Sequence, residues 1–286
     1  METFLDVLKA IIYGVVEGIT EWLPVSSTGH LILVEEFLPF QKVSDGFFEM
    51  FDVVIQLGAI LAVVLLFWNK IWPFKLPKDG EDAKSGILGY IKMDKIILWV
   101  KIMVSCVPAA VIGLLFDDVF DALFYNPVCV SIALIVFGIA FIVVENWNRG
   151  RKPKVRKLEE ITYQAAFLIG VFQLLAAIFP GTSRSGATIV GALLIGIGRT
   201  VAAEYTFFLA IPVMFGASLL KVLKFGFAFT GIELVLLLIG TVVSFLVSVM
   251  IVRFLMSFIK KHDFKIFGWY RIVLGIIVLL YFGLVK

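Results

Sequence analysis

The sequence has few charged residues and very little cysteine or histidine, and each shortage excludes a class of protein. Charged residues fill 16% of the 286 positions and hydrophobic residues 61%, with a mean hydropathy of +1.04. A soluble domain is about a quarter charged and roughly half apolar, so a water-soluble fold is excluded, and so is a disordered chain. Two cysteines and two histidines exclude a disulfide scaffold and a multi-histidine metal cage. A net charge of only +3 does not favour nucleic acid as a partner.

Long apolar runs are abundant instead. A transmembrane helix needs about 20 mostly apolar residues. Six stretches meet this requirement, at 51–69, 97–116, 128–147, 203–222, 231–256 and 266–284. We therefore predict an all-α integral membrane protein that forms a single membrane domain over residues 1–286.

Two further apolar stretches, 4–38 and 161–198, are too long for one crossing, and polar, turn-forming residues interrupt each of them. The interruptions read Pro-Val-Ser-Ser-Thr-Gly-His at 24–30 and Pro-Gly-Thr-Ser-Arg-Ser-Gly at 180–186. Pro and Gly break helices, and backbone groups freed inside lipid need partners from protein or water. We expect each stretch to form a re-entrant helical hairpin, which returns to the side from which it entered.

The two interrupted stretches resemble each other at a shift of 156 positions, which predicts an internal repeat. The aligned pairs are Gly14 with Gly170, Val15 with Val171, Glu17 with Gln173, Pro24 with Pro180 and Ser27 with Ser183, and the next spans carry Gly58-Ala59 and Gly216-Ala217. Three spans separate the hairpins, so the halves face opposite ways, as in inverted-topology repeats of transporters. We place repeat one at about 1–116 and repeat two at about 161–256; chance similarity of apolar sequence is the alternative.

Basic residues are concentrated on one side of the predicted topology. The loops at 70–96, 148–160 and 257–265, together with Arg199, hold 16 of the 25 Lys and Arg residues. The positive-inside rule places this side in the cytoplasm, so the first hairpin enters from outside and the second from the cytoplasm. Three charged residues lie near predicted cytoplasmic span ends, where we expect their side chains to snorkel to the interface: Lys101, Arg253 and Arg271.

Glu17 and Glu21 are ionisable residues in a membrane stretch, where charge is costly and usually functional. They lie four residues apart, on one face of a helix. Like charges at this spacing repel unless a cation lies between them or one carboxyl is protonated. We predict that both bind a divalent cation, Mg²⁺ or Ca²⁺, through oxygen ligands. A hydrogen-bonded pair with one protonated Glu is the alternative.

His30 follows three hydroxyl residues of the first interruption, Ser26, Ser27 and Thr28. A serine beside a histidine can act as nucleophile and base, with a carboxylate orienting the base, and Glu21 is the candidate for that carboxylate. Alternatively, His30 itself accepts the phosphoryl group. Hydroxyls at a helix N-terminus are also common caps.

Arg184 lies between Ser183 and Ser185 in the second interruption, just before a helix that contains Thr188. A guanidinium, hydroxyls and the free amides of a helix N-terminus together suit a phosphate or diphosphate. The alternative is that Arg184 caps carbonyls of the opposing hairpin.

These residues resemble the signatures of a known family. Residues 17–30, Glu-Gly-Ile-Thr-Glu-Trp-Leu-Pro-Val-Ser-Ser-Thr-Gly-His, are similar to the first signature of the undecaprenyl-diphosphate phosphatases of the bacitracin-resistance type, and residues 180–188 to the second. The similarity covers nearly the whole chain. It implies a membrane hydrolase that uses a divalent cation, removes one phosphate from undecaprenyl diphosphate, recycles the lipid carrier of cell-wall synthesis and confers bacitracin resistance. The matching functional positions are Glu17, Glu21, Ser27, His30, Ser183, Arg184 and Thr188.

We therefore expect Ser27 to attack the terminal phosphate with His30 as base, while Arg184 and a metal on Glu17 and Glu21 neutralise charge; which of Ser27 and His30 is the nucleophile stays open. The expected phosphate ligands are Ser26, Thr28, Ser183, Arg184, Ser185 and Thr188. The expected partners are a long polyprenyl diphosphate and the bacterial inner membrane, with the site facing outside; the sequence leaves the oligomeric state open and is compatible with a homodimer. A polyprenyl-phosphate transporter or flippase is the alternative.

Overall fold

The structure of the protein, a computed structural model, describes residues 2–75 and 90–284. Within these ranges the chain forms eleven α-helices, a short 3-10 helix at Leu158–Glu160 and no β-strand. The α-helices are α1 Glu2–Thr20, α2 Ser27–Phe37, α3 Phe47–Leu66, α4 Trp68–Ile71, α5 Met93–Phe124, α6 Pro127–Trp147, α7 Tyr163–Ile178, α8 Arg184–Leu194, α9 Arg199–Phe225, α10 Gly231–Phe258 and α11 Lys265–Leu284.

Six of these helices are long and apolar enough to cross a membrane, namely α3, α5, α6, α9, α10 and α11. They correspond one to one to the six predicted spans, so the prediction of an all-α membrane protein is confirmed. The helix that carries the second span is longer than the span itself: α5 has 32 residues and continues past Pro108 to Phe124, whereas the candidate membrane span covers Met93–Gly113. Lys78 and Lys84, which contribute to the predicted basic loop, lie outside the described residues.

Two helix pairs form the expected hairpins. In the first hairpin α1 contacts α2, and in the second α7 contacts α8. The first break, residues 21–26, separates α1 from α2, and the second break, residues 179–183, separates α7 from α8. Each break leaves backbone groups without helical partners in the middle of an apolar stretch, and the site described below is built on these groups.

A serine in the left-handed region closes each break. Ser26 has φ +75° and Ser183 has φ +68°, the only non-glycine residues with positive φ in the described chain. Each caps the following helix, its hydroxyl accepting the amide of Gly29 or Gly186. The two caps are 157 positions apart, one more than the predicted shift, because the second interruption has one extra residue after its proline. Ser27 therefore corresponds to Arg184, and its predicted alignment with Ser183 is wrong.

The long helices pack in a reciprocal pattern. α1 packs along α10, and α7 packs along α5. Both contacts are very close at an equivalent glycine: a Cβ on Gly14 would lie 2.6 Å from the Gly240 carbonyl oxygen, and one on Gly170 would lie 2.4 Å from that of Ser105. The predicted bounds of the two repeats stay a prediction.

The hairpins open at opposite ends of the bundle. At the end that carries the basic loops, Glu145 accepts the Nε–H of Arg199 at 2.8 Å and the Phe264 amide at 3.0 Å, and Asn148 donates to the Leu193 carbonyl at the end of α8 at 3.0 Å. At the other end, the chain that follows α2 bonds to Glu233 through the Ser44 amide at 2.7 Å. The two breaks therefore point towards each other from opposite ends.

Candidate active site

The first break places a serine hydroxyl within hydrogen-bond distance of a carboxylate. Glu21 is the first residue after α1 and Ser27 the first residue of α2, so the turn between them folds the two side chains together. The Ser27 hydroxyl donates to Oε2 of Glu21 at 2.8 Å, and both residues are buried. A carboxylate that accepts a serine proton at this distance is placed to act as its general base.

The second break supplies the cation for this carboxylate. Nη2 of Arg184 lies 3.0 Å from Oε1 of Glu21, and the Ser185 hydroxyl donates to the Glu21 carbonyl at 3.2 Å. Nη1 of Arg184 donates to the Thr206 carbonyl on α9 at 2.9 Å, so Arg184 does not cap carbonyls of the first hairpin. Its Nε is buried and has no hydrogen-bond partner among the residues that the structure describes. The structure thus joins Glu21, Ser27 and Arg184, as the sequence predicted.

Glu17 lies one helical turn before Glu21 and is fully buried, with no hydrogen-bond partner for either carboxylate oxygen in the described chain. The hydrogen-bonded Glu17–Glu21 pair, considered as an alternative, does not form. Two buried oxygens without donors are costly unless a cation or a proton joins them.

No group of three His, Cys, Asp or Glu that could hold a metal occurs among residues 2–75 and 90–284. Mg²⁺ in phosphate-handling sites is commonly held by one or two carboxylates together with substrate phosphates. A pair of carboxylates, of which Glu17 keeps both oxygens free of donors, fits such a cation.

His30 faces away from Ser27. Its Nδ1 lies 2.7 Å from the Ser26 carbonyl oxygen and its Nε2 lies 2.6 Å from the Tyr270 hydroxyl. Both ring nitrogens are therefore engaged, and the predicted relay from Ser27 to His30 to Glu21 is wrong. The physical reason is local: in the first turn of α2 the ring folds back onto the carbonyl four residues earlier, while Glu21 reaches Ser27 directly.

The remaining predicted phosphate ligands lie at the starts of α2 and α8. Ser26 and Ser183 are the helix caps described above, Ser185 lies 3.1 Å from the Ser183 hydroxyl, and Thr28 is half-buried in the first turn of α2. Thr188 is fully buried, and its hydroxyl contacts the Thr206 hydroxyl at 2.9 Å, which links α8 to α9. Two helix N-termini thus meet at the breaks, each with a partial positive charge and first-turn amides suited to an anion.

Arg271 is a site residue for which the sequence analysis predicted the wrong place. It is fully buried in α11 and donates to the carbonyls of Gly181 at 2.9 Å, Thr182 at 2.8 Å and Pro24 at 3.3 Å. Snorkelling was expected, but the breaks expose carbonyls that lack helical donors, and a guanidinium with five N–H groups satisfies several at once. Arg253, by contrast, is exposed as expected.

Other residues near the site carried weaker signals. The general rule that an arginine inside a membrane helix is functional points to Arg271, but the sequence analysis instead expected this side chain to snorkel. Tyr270 and Thr206 had no signal, because one is an ordinary aromatic residue of a span and the other contributes mainly its backbone carbonyl. Lys101 is buried, with its ammonium on the Glu159 carbonyl at 3.1 Å.

Comparison with known proteins identifies the family of the chain. The family model described as bacitracin resistance protein BacA matches residues 10–277. An undecaprenyl-diphosphatase of Desulfitobacterium hafniense is 65% identical over 279 residues, covering 98% of this chain and 97% of the relative. Undecaprenyl-diphosphatase 1 of Clostridium acetobutylicum is 60% identical, covering 98% and 99%, and one from Enterococcus faecalis is 58% identical, covering 97% of each. The chain belongs to the bacitracin resistance protein BacA family.

Proposed function

We propose that this protein is an integral membrane phosphatase that hydrolyses undecaprenyl diphosphate to undecaprenyl phosphate and inorganic phosphate. The observation that carries the proposal is the buried contact of Ser27 and Arg184 with the two oxygens of one carboxylate, Glu21. A nucleophile, its base and a phosphate-binding cation are thereby held together inside an apolar bundle. The relatives named undecaprenyl-diphosphatase match the chain over almost its full length, and the activity recycles the lipid carrier of the cell wall and confers bacitracin resistance.

Ser27 is the nucleophile in this proposal. Its oxygen attacks the terminal phosphorus, its proton passes to Oε2 of Glu21, and the bond from that phosphorus to the bridging oxygen breaks so that the lipid monophosphate leaves. A water molecule then attacks the phosphoserine, which releases phosphate and returns the hydroxyl to Ser27. His30, three residues further on, is held by the Ser26 carbonyl and the Tyr270 hydroxyl and has no role in this step.

Charge neutralisation comes from the second hairpin. Phosphoryl transfer depends mainly on positioning and on stabilising negative charge. Arg184 offers Nε, which is buried and unbonded in the described chain, and the N-termini of α2 and α8 offer their amides and their partial positive charge. The hydroxyls of Ser183 and Ser185 lie beside these amides and complete a cradle for the diphosphate.

The proposed cofactor is a divalent cation, Mg²⁺ or Ca²⁺, on Glu17 and Glu21. When bound, such a cation screens the negative charge of the diphosphate oxygens. Without it, Glu17 stays a buried carboxyl with no donor from residues 2–75 and 90–284, so the cation and the substrate are expected to bind together.

The lipid tail is expected to lie along the apolar helix faces, each buried methylene contributing about 0.8 kcal/mol. This contribution restricts the enzyme to long polyprenyl diphosphates. We place the protein in the bacterial inner membrane with the site open to the outside, because α2 leads away from the site to the end opposite the basic loops.

The test is phosphate release from a C55 polyprenyl diphosphate by the purified protein in detergent. Glu21→Gln removes the base and the partner of Arg184, and loss of a general base lowers the rate about 10²–10⁴-fold. Asp45→Asn, at an exposed loop position, is the matched control and should retain full activity. Tight binding of the lipid without phosphate release by the parent protein would favour a transporter or flippase, and equal turnover of a short soluble diphosphate would contradict the proposed lipid selectivity.

A further inference from the structure

A cavity of about 540 Å³ lies at the end of the bundle that carries the basic loops. Its walls are the loop at 147–154 and the turn at 193–200, and the chain just after α10 closes it with Ile259 and Lys260. The turn follows the last residues of α8, so the cavity lies at the opposite end of that helix from Arg184. None of the residues assigned to the phosphatase site lines it.

Hydrogen bonds fix the loop of the cavity to the second hairpin. The Lys154 amide donates to the Gly196 carbonyl at 2.8 Å, and the side chain of Asn148 donates to the Leu193 carbonyl at 3.0 Å. The loop is therefore bonded to the end of α8 and to the turn that follows it. The cavity between them is part of the fold, and its volume falls in the range of ligand pockets, about 300–1,000 Å³.

The lining of the cavity is strongly cationic. Glu145 is the one acidic residue among the described residues that line it, and its carboxylate already accepts the Nε–H of Arg199 and the amide of Phe264. Apart from Arg199, five cations therefore line the cavity without an acidic partner in its walls. Clustered positive charge of this kind attracts an anion. The basic residues of the lining are Arg149, Arg151, Lys152, Lys154, Arg199 and Lys260.

The rim of the cavity has the features of a membrane–water interface. Trp147, the last residue of α6, is 58% exposed, and the Arg151 guanidinium lies 4.3 Å from the centroid of its ring. Leu194, on the other wall, is 45% exposed. Exposed tryptophans at the ends of spans are typical of the headgroup level of a bilayer. A cationic cavity with an apolar rim therefore lies where lipid headgroups meet the acyl chains.

We propose that this cavity binds the headgroup of an anionic phospholipid of the cytoplasmic leaflet, such as phosphatidylglycerol. The phosphodiester lies among the five cations, and the acyl chains leave the cavity past Trp147 and Leu194 into the bilayer. The positive-inside rule places this end of the bundle in the cytoplasm, and basic pockets between spans on that side suit anionic headgroups. The inference does not depend on the proposed phosphatase activity.

Native mass spectrometry of the purified protein in detergent measures the binding directly. The protein is titrated with phosphatidylglycerol, and separately with phosphatidylcholine of the same acyl chains, whose headgroup has no net charge. We expect the parent to bind phosphatidylglycerol at least about 30-fold more tightly. Arg149→Gln/Lys152→Gln removes two lining cations at exposed positions. Because each basic residue near a headgroup contributes about 1 kcal/mol, the affinity for phosphatidylglycerol should fall about 30-fold, with little change for phosphatidylcholine.

Arg253→Gln/Lys261→Gln is the matched control. It also removes one Arg and one Lys from exposed positions towards the same end of the bundle, but neither residue lines the cavity. Both double variants have the same net charge, so the control should keep the parental preference for phosphatidylglycerol.

Three results would overturn the inference. Equal loss of affinity in the two double variants would show that the lipid responds to the overall positive charge of this side. Equal binding of the two lipids by the parent would show that the cavity does not select an anionic headgroup. Displacement of phosphatidylglycerol by an equal concentration of inorganic phosphate would show that the cavity takes a free anion and that the apolar rim plays no part.

Discussion

Replacement of Arg271 by methionine is the most demanding test of how the two breaks are held. Methionine retains an unbranched apolar stem but removes all the donors. The change leaves the carbonyls of Pro24, Gly181 and Thr182 without the side-chain donor that bonds them in the parent. We expect both the stability of the protein and the alignment of Arg184 with Glu21 to decrease.

The magnitude follows from the distances. Arg271 makes four hydrogen bonds, the fourth from Nε to the Leu134 carbonyl at 3.4 Å, and two of the four are shorter than 3.0 Å. A hydrogen bond from a charged donor contributes about 1.5–3 kcal/mol. Counting only these two gives about 3–6 kcal/mol, and removing a desolvated charge offsets part of the loss. We expect a net destabilisation of about 3 kcal/mol, which lowers the Tm of a chain of this size by about 6–12 °C.

Thermal unfolding in detergent, followed by tryptophan fluorescence, measures this change. Arg253→Met, at an exposed position of α10, is the matched control and should shift stability by no more than about 0.5 kcal/mol. Phosphate release should also fall in Arg271→Met, because the two breaks lose the guanidinium that bonds carbonyls of both, and only the contacts of Arg184 and Ser185 with Glu21 remain. A variant that unfolds at the parent temperature and keeps full activity would refute the assignment of Arg271 as the link between the breaks.

Two further predictions concern glycine packing and the cation. Gly58→Ala places a Cβ 2.1 Å from the Thr241 carbonyl oxygen, so it should destabilise the α3–α10 contact by about 1–3 kcal/mol. Gly216→Ala is the control: no described atom lies within 4 Å of its Cβ, so it should stabilise its helix by up to about 1 kcal/mol. Equal Tm shifts in the two variants would be inconsistent with the packing. Chelator should abolish phosphate release and added Mg²⁺ or Ca²⁺ should restore it, whereas Glu17→Gln should raise the cation concentration needed for half-maximal activity roughly tenfold or more. Because Glu17 accepts no hydrogen bond within the described part of the chain, Glu17→Gln should not lower the Tm in chelator. A marked decrease would show that the carboxylate has a structural role.

Much of the fold was predictable from composition and from the residues that interrupt apolar stretches. Spans of about 20 apolar residues are defined by the thickness of the bilayer, which is why all six were found. The breaks were predictable because Pro, Gly and hydroxyl residues interrupt apolar sequence at 24–30 and 180–186. The ends of α5 were not, because a helix can continue beyond the membrane without any change in its backbone pattern.

The site was predictable as a set of residues and less so as a set of contacts. Glu21, Ser27 and Arg184 were identified because charged and hydroxyl side chains are costly in a membrane stretch and are therefore usually functional. The partner of His30 was missed because Tyr270 lies 240 positions away in the sequence, and no local pattern reports such a contact. The equivalence of Ser27 with Arg184 was hidden by a one-residue difference in the length of the breaks, which only the two left-handed caps reveal.

The position of Arg271 has a consequence for how the enzyme matures. The guanidinium that fastens the breaks is carried by α11, the last helix of the described chain, while one of the carbonyls it bonds belongs to Pro24, near the start. During synthesis the first hairpin is therefore made long before the helix that carries Arg271. A chain that stops before Arg271 therefore lacks the donor that bonds carbonyls of both breaks.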